Sequence, residues 1–73
     1  MPTAGDLIRA QQFIRDERRL IDTQRNLIAA LTAHGSNTEA AEGLLQQMLA
    51  TLAHMEETRD RIKAAIPANQ NSG

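Results

Sequence analysis

Between Pro2 and Pro67 the chain meets no proline and a single cluster of helix-ending residues, His34-Gly35-Ser36-Asn37. On either side of that cluster helix formers dominate, so the sequence asks for two long helices and one turn. Gly35 suits the left-handed residue that closes a helix, and Ser36 or Asn37 suits the cap of the next. Ser36-x-x-Glu39 reads as a capping box, and Thr3-x-x-Asp6 is the matching start signal for the first helix, with Thr3 as its N-cap. Pro67 disfavours helix for its predecessor. The predicted boundaries are helix 1 over about 4–33, a turn at 34–37 and helix 2 over about 38–66, so that residues 1–66 form the hairpin and 67–73 a flexible polar tail. Each helix is ~28–30 residues, or ~43 Å at 1.5 Å per residue. So short a turn forces the second helix back along the first, giving an all-α, antiparallel, coiled-coil-like hairpin. A DNA-reading helix-turn-helix needs shorter helices crossing steeply.

Helix 2 carries a seven-residue repeat, Ala41, Leu45, Met48, Leu52, Met55, Arg59, Ile62 and Ile66, whose steps alternate four and three as in a coiled-coil seam. Leu44 and Leu49 widen it on either side. Helix 1 carries two such rows, Leu7, Ile14, Ile21 and Ile28, and one position earlier Phe13, Leu20 and Leu27, with Leu31 near the turn. At about 100° per residue the two rows bracket an arc of about 160°, broader than one neighbouring helix covers. Met48 and Met55, at seam spacing, read as core filler rather than as a pliable binding groove.

A chain of 73 residues without cysteine has neither a large core nor a disulfide or thiolate metal site to stabilise it. Association is the remaining remedy. Two hairpins packed face to face bury both rows of helix 1 in a four-helix bundle, so a homodimer is expected. The alternative is another helical protein as the partner, with this chain completing a larger assembly.

Three polar residues interrupt the stripes. Glu17 and Gln24 lie inside the apolar arc of helix 1, and Arg59 occupies a seam position of helix 2. With the turn at 34–37, Leu31 comes level with Ala41 and Ile21 with Leu52, and Glu17 falls within about one turn of Arg59. A buried Glu17–Arg59 ion pair that fixes register is one expectation. Long side chains that snorkel to the rim with buried stems are the other.

The net charge of −1 gives no whole-molecule attraction to nucleic acid or to an acidic membrane. Arg15, Arg18 and Arg25, with Arg19 beside them, share one side of helix 1, but Asp16 and Asp22 interleave with them and Asp22 stands four residues from Arg18, at pairing distance. Phe13 is the one aromatic residue, so stacking platforms for single-stranded nucleic acid are missing. No apolar run approaches the ~20 residues that span a bilayer. The opening Met-Pro-Thr-Ala-Gly-Asp lacks the basic and apolar regions of a signal peptide, which makes the cytoplasm the expected compartment.

Catalytic chemistry finds no constellation to work with. Ser36 and Ser72 fall in the turn and tail, away from any histidine that helix geometry brings near. His34 belongs to the turn, and His54 to the polar side of helix 2. His54-x-x-Glu57 inverts the order found in carboxylate-bridged diiron bundles, and the scattered glycines form no phosphate loop. No enzyme activity, cofactor or metal is expected.

Two resemblances bear on the reading. Arg19-Leu-Ile, Leu27-Ile-x-x-Leu31, Gly35-x-x-Thr38-x-x-Ala41-x-x-Leu-Leu-x-x-Met48 and Arg59-Asp-Arg-Ile62 resemble a recurring type of short, uncharacterised bacterial helical-hairpin protein. That likeness implies the hairpin and no activity. Phe13-Ile14-Arg15 is similar to a stretch of the first helix in the Rop family, short hairpins that dimerise into four-helix bundles and bind paired RNA loops. It implies a dimer, a role for Phe13, and RNA as the alternative partner. The expected function is a non-enzymatic, self-associating interaction protein, an adaptor or regulator, with a Rop-like RNA-binding regulator as the alternative.

Overall fold

The computed structural model describes residues 1–67, and in it the chain is a two-helix hairpin, α1 over Ala4–Ala33 and α2 over Glu39–Ala65. The tail expected at 67–73 lies, from residue 68 on, outside the described residues.

The start of α1 is the capping box its sequence announces. The Asp6 amide donates to Thr3 Oγ1 at 3.2 Å, and the Thr3 amide donates back to Asp6 Oδ2 at 2.9 Å. The Arg9 guanidinium also donates to the Asp6 carboxylate. These bonds, the Thr3 amide first among them, hold the Asp6 carboxyl below its ordinary value.

At the other end of α1, Gly35 has φ 69°, the left-handed backbone that glycine tolerates without steric cost. The Ser36 amide donates to Leu31 O at 2.9 Å and the Gly35 amide to Thr32 O at 3.0 Å, the paired bonds of a Schellman motif. His34 Nδ1 lies 2.8 Å from Ala30 O, so that nitrogen carries the proton.

This closure changes how α2 begins. Ser36 is drawn into the end of α1, too early to cap the next helix, and the capping box expected from Ser36 to Glu39 is not formed. Asn37 Oδ1 instead accepts from the Glu39 amide at 2.8 Å, and Thr38 occupies the N-cap without a side-chain bond. At its far end α2 stops at Ala65. Ile66 adopts extended backbone, φ −78° and ψ 126°, as a residue preceding proline must.

The helices pack along one seam. Ile14 and Ile21 are the most buried residues of α1, and Ile66 closes the open end of the hairpin although it stands outside the helix. Leu7 and Ile28, in the same row, are half-buried, as is Leu31 near the turn. Across from them Ala41, Leu45, Met48, Leu49, Leu52, Met55 and Ile62 are all half-buried, and no residue of α2 is fully covered. One neighbour covers one face of a helix and no more. No helix among the described residues is long and apolar enough to cross a membrane.

Candidate protein-interaction surface

The two apolar rows of α1 fare differently. The row of Ile14 and Ile21 points at α2, whereas Phe13, Leu20 and Leu27, one position earlier, are turned about 100° away. Their exposures are 59%, 55% and 47%, and Leu44 on α2 matches them at 49%. Phe13 borders a shallow groove with Ala10 of its own helix and His54, Met55 and Thr58 of α2. The uncovered residues therefore lie along one edge of the seam and form one apolar face with contributions from both helices. Ile8 and Met1 are also exposed, but helical spacing turns Ile8 to the far side of α1.

The opposite edge is polar. Arg18, five residues after Phe13 and so turned about 140° from it, donates through Nη2 to Glu56 Oε2 at 3.0 Å. Asp22, one turn along α1, is not the partner Arg18 takes. Arg18 and Glu56 have side-chain exposures of 57% and 35%, so the pair is a rim contact worth roughly 0.2–1 kcal/mol. Its larger effect is to tie the two helices at one level.

A second tie lies inside the seam. Gln24, 9% exposed, donates from Nε2 to the backbone oxygen of Ala41 at 2.9 Å. That carbonyl also belongs to the ladder of α2 and has a second lone pair to offer. Among the described residues no buried side-chain donor or acceptor is left without a partner.

The ion pair considered for Glu17 and Arg59 is not made. Both residues are half-buried, and Arg59 Nε donates to the adjacent Asp60 at 3.0 Å with the side chain 27% exposed. Helical spacing explains why: Glu17, four residues from Phe13, is turned toward the Phe13 edge of the seam, whereas Arg59, three residues from Glu56, is turned toward the Glu56 edge. Its stem packs in the seam and its head reaches the rim, the snorkelling arrangement. Gln24 carries the register instead. The signal for it was present, since Gln24 interrupts the apolar arc where Ala41, the small residue of the facing seam, lets a side chain reach backbone.

Other polar groups are dispersed. His54 Nδ1 stands 4.0 Å from Glu57 Oε2, both well exposed. Arg15 and Arg25 are exposed on α1. No group of three or more potential metal ligands occurs among the described residues. Comparison of the chain with protein-family models, with curated proteins and with solved structures finds no match. The likenesses to short bacterial hairpins and to the Rop family therefore rest on the residues quoted for them alone.

Proposed function

We propose that this chain is a non-enzymatic helical-hairpin interaction protein, a self-associating adaptor or regulator, two copies of which pack through the Phe13–Leu20–Leu27 face into a four-helix bundle. The observation that carries this reading is the exposure of Phe13, Leu20, Leu27 and Leu44, each about half uncovered on one continuous face. Burying the exposed half of each is worth roughly 1 kcal/mol, and a symmetric dimer counts every residue twice. The hairpin extends 55 × 17 × 11 Å. Its broad side thus offers on the order of 900 Å², close to the ~800 Å² per partner of a standard interface.

Size exclusion coupled to light scattering tests the proposal, with mass read through refractive index because Trp and Tyr are absent. The expected mass is twice the 8.0 kDa of one chain at micromolar concentration. A mass of one chain across a wide concentration range rejects self-association and leaves a different helical protein as the occupant of the face.

A further inference from the structure

The apolar face has a symmetry that says how its occupant lies. Phe13, Leu20 and Leu27 are spaced by seven, so the row reads the same in both directions about Leu20. The facing edge of α2 carries Leu44, Thr51 and Thr58, also spaced by seven about Thr51, with Met48 three residues before that centre and Met55 four after it. The two centres lie at about the same level along the hairpin. Arg18 is tied to Glu56 on one edge, and Phe13 adjoins Met55 and Thr58 on the other. Counting along both helices from these contacts brings Leu20 level with Thr51 to within about a turn. One two-fold axis, crossing the face at that level and at right angles to the helices, maps the α1 row onto itself and brings Leu44 of α2 over the partner's Thr58, with Met48 within one residue of the partner's Met55.

We infer that a second copy of this chain seats on this face antiparallel, α1 over the partner's α1 and α2 over the partner's α2, with the two Leu20 side chains meeting at the axis. This rests on the self-association proposed above and fixes its geometry. Phe13 then meets the partner's Leu27, and Met48 the partner's Met55. The axis passes near the middle of α1, so almost the whole length of both hairpins overlaps.

Charge and solvation separate this arrangement from its rivals. Arg9 and Asp16 flank the α1 row by helical spacing. In the antiparallel dimer Asp16 comes level with the partner's Gln24 and Arg9 with the partner's Leu31, and no like charges meet on the face. A parallel pairing of the same rows sets Arg9 against Arg9 and the acidic Asp16-Glu17 against itself, a repulsive juxtaposition. Laying α1 over the partner's α2 instead, with both turns at one end, places Phe13 and Leu20 above Thr58 and Thr51 and leaves only Leu27 facing an apolar residue, Leu44, whereas the antiparallel dimer sets only Leu44 above a threonine, Thr58. Packing α1 on α1 keeps the apolar row against an apolar row.

Because the chain has no cysteine, single substitutions report on this directly. Leu20→Cys, Phe13→Cys, Leu27→Cys and Leu44→Cys are made separately, their helicity checked by circular dichroism, and each treated with a short bis-maleimide at micromolar concentration. Leu20→Cys is expected to link to itself at least about tenfold faster than Phe13→Cys or Leu27→Cys links to itself. A mixture of Phe13→Cys and Leu27→Cys is expected to link to each other. Self-linking of all three at similar rates overturns the inference in favour of a parallel dimer. Linking of Leu27→Cys to Leu44→Cys in a mixture overturns it in favour of α1 over α2. In both cases the mass of the unsubstituted protein stays doubled and self-association survives. A single-chain mass with no linking at any position rejects both together.

Discussion

Replacing Gln24 with glutamate converts the internal tie between the helices into a pH-dependent fault. Gln24→Glu keeps the shape of the side chain and exchanges its NH2 for an oxygen. That oxygen then sits where Nε2 now lies, 2.9 Å from the Ala41 carbonyl, at a residue 9% exposed. Protonated, the carboxyl donates its O–H to that carbonyl and restores the bond. Ionised, it turns an acceptor toward an acceptor in a poorly solvated seam, so its folded-state value rises above the ~4.3 of an unfolded glutamate. A rise of about two pH units corresponds to about 2.7 kcal/mol. The sign follows: the cost is absent below about pH 4, grows as pH rises through the folded value, and is complete near pH 7. The assay is urea unfolding followed by circular dichroism at pH 4 and pH 7, each variant referred to the parent protein at the same chain concentration, because dimer stability depends on it. Gln24→Leu is the control, removing the bond while leaving Ala41 O in its helical ladder, and is expected to shift stability by less than about 1.5 kcal/mol at both pH values. An equal effect of Gln24→Glu at pH 4 and pH 7 would mean that Gln24 is solvated and that the tie to Ala41 does not hold the register.

The two glycines nearest the turn are expected to respond in opposite directions to alanine, read by thermal unfolding. Gly43 lies inside α2 with nothing within 4 Å of an added Cβ, so Gly43→Ala should stabilise by about 0.5–1 kcal/mol, whereas Gly35→Ala, at φ 69°, should destabilise by about 1–2 kcal/mol. Double-mutant cycles should find a coupling of roughly 0.2–1 kcal/mol between Arg18 and Glu56 and additive effects for Glu17 and Arg59, whereas coupling confined to the second pair would refute the rim position of Arg59.

The hairpin was legible because its signals are local. Thr3 and Asp6, Gly35, and Pro67 each set a helix end through bonds or sterics reaching only a few residues. The heptad rows needed one further step, the 100° geometry that separates Ile14 and Ile21, which α2 covers, from Phe13 and Leu20, which it leaves open. Register was harder to read, since it depends on side chains that meet across the seam. Sequence counting brought Glu17 and Arg59 to within about a turn of the same level, but helical spacing turns them to opposite edges of the seam, where Arg59 takes Asp60 and Arg18 takes Glu56. Ser36 shows a similar competition on a smaller scale, because its amide closes α1 and removes it from the capping position of α2. Nothing in the pattern of residues states which protein covers the open row, because apolar surface is alike whoever buries it.

The Schellman closure at Gly35 also governs whether each chain folds back on itself at all. Were residues 34–38 helical, the chain would be one rod of roughly 60 residues, ~90 Å long, and its rows could be buried only by another molecule. Two such rods lying antiparallel would make many of the same contacts, with each α2 lent to the neighbouring chain, and this is the exchange from which domain-swapped dimers arise. A single backbone angle at Gly35 thus separates a hairpin that owns its core from a molecule that must share it.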